Sequence, residues 1–187
     1  MSDPLSRLAG FLLDLSYIPG QVTLTSGRVS DYYFDCKQTA LHPEGGYLLG
    51  LILLQKVKDP VQAVGGMTLG ADPLVSAVSV LSHIHSRPLP GFIVRKTPKG
   101  HGTNQYLEGL ANIPHGTRVA VLEDVVTSGG SVLKACQRTV QAGLRVEQVL
   151  TVLDRQEGGA EALAEEGYTL ESVFTKQSLF AAAGKDV

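Results

Sequence analysis

From residue 43 onward the chain alternates two patterns: apolar positions repeating every three or four residues, and short unbroken apolar runs. The first pattern predicts helices and the second buried strands. Helices are expected from Pro43 to about Lys58, with Tyr47, Leu51 and Leu54 on one face, across "ADPLVSAVSVLSHIHS", and across "GSVLKACQRTVQAG", ended by Gly143. A shorter helix is expected at "GGAEALAEEG". Strands are expected at "VQAVGG", "GFIVRK", "RVAVLED", "VEQVLTVLD" and "YTLESVF". Upstream, Asp3-Pro4 opens a helix carrying Leu5, Leu8, Leu12 and Leu15, and "PGQVTLTSGRVSDYYFD" reads as a hairpin turning near Gly27. Strands interleaved with helices imply an α/β fold, a mostly parallel twisted sheet flanked by helices. In such sheets ligands bind beyond the carboxyl ends of the strands, and each glycine-rich or polar segment here follows a strand.

Composition narrows the class without naming a chemistry. The chain has 187 residues, 43% hydrophobic and 18% charged, with a net charge of −2. These values fit one globular domain and give no global attraction to nucleic acid or to a membrane surface. No apolar segment is long enough to span a bilayer, and "MSDPLSRLAG" lacks the basic-then-apolar pattern of an export signal. Cys36 and Cys136 are far apart and read as small core residues of a reduced, cytoplasmic protein.

Candidate chemistry begins at "VLEDVVTSGGS", residues 121–131. Glu123 and Asp124 end the expected strand, Val125 and Val126 follow, and Thr127, Ser128, Gly129, Gly130 and Ser131 lead into a helix. Small residues let backbone N–H groups close on an anion, and the helix N-terminus adds partial positive charge. Carboxylates just before such a turn can accept bonds from sugar hydroxyls or help hold a divalent metal on the phosphates. A phosphorylated ribose with Mg²⁺ satisfies both, with the metal held mainly through the phosphates and Asp124 the candidate protein ligand. The spacing is neither a Walker loop nor a dinucleotide fingerprint. Alternatively, the stretch is an acidic strand–turn–helix junction with no ligand.

A second segment, "VRKTPKGHGTNQYLEG", sets Arg95, Lys96, Lys99 and His101 within seven residues, interrupted by Pro98 and glycines. It reads as a loop that could bring positive charge over an anion and stabilise a departing pyrophosphate. A solvated basic loop is the plainer alternative.

The first segment resembles the motif of type I phosphoribosyltransferases that binds 5-phosphoribosyl 1-diphosphate (PRPP). The second, R-K-x-x-K-x-H-G, resembles the catalytic loop of orotate phosphoribosyltransferases. "SGRVSDYYFDCK" is similar to that family's N-terminal hood, with Tyr33 and Phe34 at its base-stacking positions, and "LDRQEGG" places Arg155 at its orotate-contacting arginine. The four segments stand in family order over about residues 5–175. Thr25 and Leu69 depart from it, since many members carry lysine at both places. The loop "GGMTLGAD" is read as a backbone-donor loop for pyrophosphate or, equally, as a tight strand-to-helix turn.

The resemblance implies an N-terminal helix and hood at 1–42, a phosphoribosyltransferase core at 43–175 and a tail at 176–187, within one globular unit. It implies transfer of ribose 5-phosphate from PRPP to orotate, giving orotidine 5′-monophosphate and pyrophosphate in de novo pyrimidine (UMP) synthesis, with Mg²⁺. Glu123 and Asp124 would hold the ribose, 127–131 the 5′-phosphate, and Arg95, Lys99 and His101 the pyrophosphate. Thr127, Arg155, Tyr33 and Phe34 would hold orotate. The family forms homodimers in which the 95–108 loop is shared across the interface, so Lys96 is expected from the partner chain. Two other readings stay open. One is transfer to a different base, against which a carboxylate-seeking Arg155 argues. The other is a non-catalytic PRPP-sensing regulator bound to nucleic acid, which the net charge does not favour.

Overall fold

A computed structural model describes residues 3–23, 29–98 and 106–185. Its centre is a six-stranded sheet in the order β5-β4-β3-β6-β7-β8. The strands are β3 (Ala63–Met67), β4 (Gly91–Val94), β5 (Leu107–Glu108), β6 (Arg118–Val126), β7 (Arg145–Asp154) and β8 (Leu170–Thr175). All neighbours are parallel except β5, which pairs antiparallel with β4. A separate antiparallel pair, β1 (Tyr17–Thr23) and β2 (Val29–Phe34), forms the hood.

The long inner strands are apolar on both faces because both are covered. Along β6, Ala120 and Leu122 enter one core, and Val119 and Val121 enter the other. The first core takes α1 (Pro4–Phe11), α2 (Cys36–Ala40), α3 (Pro43–Lys56), α4 (Asp72–Ile84) and α7 (Lys176–Ala182). The second takes α5 (Gly130–Gln141) and α6 (Gly159–Glu165). Period-two alternation of side chains makes this partition automatic. The chain runs from β3 outward to β4, then returns to the other side of β3 as β6. A crevice therefore opens where the C-terminal ends of β3 and β6 diverge, as expected at a reversal of strand order.

Several elements differ from expectation. The inward side of α3 is Leu48, Leu49, Ile52 and Leu53, with Leu54, whereas Tyr47 is 53% exposed. The helix is apolar around most of its circumference, so spacing alone does not mark which side is buried. The first helix is α-helical only to Phe11, and residues Leu12–Ser16 form a wider π-type turn that leaves Leu15 exposed. A short helix, α2, follows the hood, capped by Asp35. The 176–187 tail contains α7, opened by a Thr175–Ser178 capping box. Leu179 is buried, and the Phe180 ring meets Tyr17 edge-on at 5.3 Å. The N-terminal helix, the tail helix and the sheet thus share one core.

Candidate active site

β6 runs two residues past the carboxylates, to Val126, which pairs with Asp154 of β7. The expected strand end at Asp124 is therefore corrected, and consecutive residues leave opposite faces. Glu123 goes with α5: burial and the Asp124 charge raise its carboxyl well above the usual range, and a Ser131 hydrogen bond opposes them. Asp124 goes to the other face, beside Gly70 and in the field of Lys37. Both still line one cleft, because the cleft lies across the end of the strand.

Glu123 is 4% exposed, accepts a bond from the Asp124 amide at 3.3 Å through Oε1, and leaves Oε2 buried without a partner. An unpartnered buried oxygen costs about 1–3 kcal/mol, and a ligand can remove that cost. The raised pKa means the free pair tends to keep a proton on Glu123, which relieves the like-charge repulsion. Asp124 is pinned by the Val125 amide at 2.9 Å. A β-carbon at Gly70 would fall 2.5 Å from its carboxylate, so only glycine lets the loop after β3 lie against Asp124.

Beyond β6 the chain turns through Gly129, whose φ of +82° is accessible to glycine at no steric cost, and enters α5 at Gly130. Residues 125–131 line a cleft of about 490 Å³, with Tyr33, Phe34, Lys37, Lys96 and Arg155 on the facing sides. That volume lies in the range of small-molecule sites. The turn presents a 12-residue helix N-terminus to the cleft, an arrangement suited to a phosphate.

Arg155 follows β7, and its amide donates to Val126 O at 3.0 Å. It is 9% exposed. Its Nη2 donates to Ser30 Oγ at 2.8 Å and pairs with Glu157 at 2.9 Å. The guanidinium carbon lies 4.2 Å from the centre of the Tyr32 ring, and Nε is buried with no partner in the protein. A fork-shaped cation with an unspent donor suits a carboxylate. Tyr33 is 37% exposed, whereas Phe34 is 5% exposed and belongs to the first core. Of the two rings, Tyr33 is the one with a free face.

The basic segment divides. Lys96 lines the cleft of its own chain. Arg95 does not line it: Nη1 pairs with Glu108 at 3.0 Å and Nε donates to Thr97 O at 3.3 Å. In the isolated chain the Arg95 guanidinium thus rests toward β5 at the sheet edge. Lys99 and His101, and the departure at Thr25, lie outside the described residues. In the "GGMTLGAD" loop the amides of Thr68, Ala71 and Asp72 are bonded to Val94, Met67 and Leu69 carbonyls, and Leu69 is 67% exposed. The loop is thus mainly a tight turn, touching the site through Gly70.

Two site residues escaped the sequence reading. Lys37, on α2, lines the cleft. Its ammonium pairs with Asp35, which raises its pKa; burial opposes this, and the Asp124 charge adds to it. It closes the stretch "SGRVSDYYFDCK", so a signal existed. Arg138, on α5, donates to the carbonyls of Arg95 at 2.5 Å and Lys96 at 3.4 Å, and lies 3.9 Å over the Tyr106 ring. It latches both ends of the 95–106 segment to the helix that starts at the phosphate-type turn.

Sheet order, switch-point cleft and phosphate-type turn define the type I phosphoribosyltransferase class of α/β protein. No protein-family model matches the chain. It is 49% identical over 173 residues to an orotate phosphoribosyltransferase of Nostoc sp., covering 92% of this chain and 84% of that one. It superposes on Mycobacterium tuberculosis orotate phosphoribosyltransferase in complex with Fe(III) dicitrate with a TM-score of 0.82 at 38% identity, covering 95% and 99% of the two chains. The same enzyme in complex with PRPP gives 0.78 at 36% identity, with the same coverage. The chain belongs to the orotate phosphoribosyltransferase family.

Proposed function

We propose that this protein transfers ribose 5-phosphate from PRPP to orotate, releasing pyrophosphate and orotidine 5′-monophosphate, a pentosyl transfer in pyrimidine synthesis. The observation that carries this reading is one cleft holding both a ribose-phosphate cradle and a buried arginine with a free donor. The cradle fits PRPP, and the arginine fits the carboxylate that distinguishes orotate from purine and other pyrimidine bases.

The amides of 127–131 and the α5 N-terminus hold the 5′-phosphate, and Asp124 and Glu123 bind the ribose hydroxyls. As the bond from the anomeric carbon to pyrophosphate breaks, the sugar gains positive charge, which Asp124 stabilises. The electron pair leaves with pyrophosphate, toward Lys96, Lys99 and His101. The base nitrogen closes on the same carbon while Arg155, Thr127 and Tyr33 hold the ring. No protein nucleophile is required.

Among the described residues no group of three or more acidic, histidine or cysteine side chains could form a metal cage. Mg²⁺ commonly rests on one or two carboxylates plus substrate phosphates, and the Asp124 carboxylate with the orphaned Glu123 Oε2 suits that mode. Mg²⁺ bound there would offset the pyrophosphate charge. A homodimer sharing the 95–108 segment is proposed on family resemblance, and sedimentation velocity reads it. A cytoplasmic setting accords with two buried free thiols, Cys36 and Cys136. Among the described residues no helix is long and apolar enough to cross a membrane.

The test is a competition assay with PRPP, Mg²⁺ and equal amounts of orotate, uracil, adenine and hypoxanthine. Orotidine 5′-monophosphate should dominate, with one pyrophosphate per nucleotide. A purine nucleotide as main product would overturn the reading.

A further inference from the structure

Arg155 reaches the cleft from the end of β7, yet the groups that fix its guanidinium belong mostly to the hood. Ser30 and Tyr32 lie two apart on β2 and therefore project to one face of that strand. Ser30 Oγ donates to Tyr32 O at 2.7 Å and accepts from the Tyr32 amide at 3.3 Å, so its proton is committed and a lone pair is left for Arg155 Nη2 at 2.8 Å. The Tyr32 ring lies under the guanidinium, 4.2 Å from Cζ, and is itself 5% exposed. Lys176 of α7 lies 4.7 Å from the same ring centre, and the Tyr17 ring stacks on it at 5.4 Å. Hood and tail helix together hold the ring that holds the arginine.

We propose that β2 is the positioning strand for Arg155: the Tyr32 ring sets the plane of the guanidinium and the Ser30 hydroxyl sets its rotation, so hood and tail govern affinity for the carboxylate-bearing base. Neither residue touches the substrate. Both act by presenting the free Nε donor of Arg155 in a fixed direction. A planar cation over an aromatic face keeps its orientation at little entropic cost, and bidentate recognition is sensitive to small rotations. Burial raises the Tyr32 phenol pKa, with Arg155 opposing, so the ring stays neutral through ordinary assay pH and the pairing charge is left to Glu157.

This inference rests on Arg155 contacting the base, and the experiment separates the two. KM for orotate, KM for PRPP and kcat are measured for Tyr32→Met, Tyr32→Phe, Ser30→Ala and Arg155→Ala. Tyr32→Met keeps an apolar side chain without the π face and should raise the orotate KM about tenfold, with the PRPP KM within twofold of wild type. Tyr32→Phe should restore the wild-type orotate KM, since the ring and not the hydroxyl does the positioning. Ser30→Ala should raise the orotate KM about threefold, and it reads the same device should Tyr32→Met not fold. Wild-type orotate KM in folded Tyr32→Met, or in Ser30→Ala if only that folds, overturns the proposal, as does an equal rise in both KM values. If Arg155→Ala itself leaves the orotate KM unchanged, the base-contact reading fails, and this inference with it. If only Arg155→Ala raises it, positioning by β2 alone is refuted.

Discussion

The end of β6 and the end of β4 both feed the same cleft, but they are built differently. β6 has nine residues, lies between β3 and β7, and has a core on each face. β4 has four residues and is flanked on its outer side by the two-residue β5. The turn after β6 is fixed by close packing: Gly70 on Asp124, Gly159 against Thr127, and Gly129 at positive φ. Among the described residues, the ends of the arm after β4 are held by the Arg95 amide on Tyr106 O, by Arg138 and by the Arg95–Glu108 pair at half-exposed positions. A rigid strand end suits groups that bind the same ligand atoms throughout the reaction. A tethered arm suits cations needed most strongly when pyrophosphate departs. Ribose-phosphate binding and charge stabilisation at the sugar rest on β6, while stabilisation of the departing pyrophosphate rests on the arm.

The largest effect should come from Lys99→Ala, which removes a cation from the arm. kcat should fall about 100- to 1000-fold, the scale for losing one preorganised transition-state donor. Steady-state kinetics reads it, and unchanged turnover would remove the arm from the chemistry. Next is Gly70→Ala. A methyl 2.5 Å from the Asp124 carboxylate must displace it, and PRPP affinity should drop on the order of tenfold, measured by calorimetric titration. An intermediate effect is expected from Arg138→Met, which keeps the helix but releases the carbonyls of Arg95 and Lys96. kcat should fall about 3- to 10-fold while PRPP affinity holds, on the scale of a lost charge-assisted hydrogen bond.

The smallest effect is on stability and concerns Glu123. Its pKa is higher in the folded chain than the ordinary 4.5, so folding takes up a proton. Its burial therefore costs little below about pH 4.5, the unfolded value, and progressively more as pH rises through the folded value. Glu123→Gln should leave Tm unchanged near pH 4 and raise it at pH 8 by about 2–4 °C for each kcal/mol relieved. Thermal unfolding at the two pH values reads the difference. A variant less stable at pH 8 would mean that the carboxylate is satisfied in the free protein.

Most of the sheet was legible because inner parallel strands show as unbroken apolar runs and helices as periodic ones. The ligand-facing turn was legible because small residues followed a strand. The features that escaped depend on partners remote in sequence. β5 is two residues long and exists only through β4. Arg138 is an ordinary position on an amphipathic helix until the carbonyls of residues 95 and 96 meet it. The Arg95–Glu108 ion pair is hidden in the same way, because Glu108 lies beyond the loop. α7 had its signals, a Thr175 cap and an alanine-rich run, but reads as a tail until Tyr17 supplies a surface for Phe180.

On this division β6 holds PRPP, and the arm after β4 acts mainly on the departing pyrophosphate. The most direct measurement is a paired one on Asp124→Asn and Lys99→Ala: Kd for PRPP by titration and the single-turnover rate at saturating PRPP and orotate. Asp124→Asn should weaken PRPP binding by at least about tenfold, and Lys99→Ala should lower the rate about 100-fold or more with Kd within about threefold of wild type. The opposite pattern, with Lys99→Ala abolishing binding and Asp124→Asn leaving it intact, would contradict the division between the two strand ends.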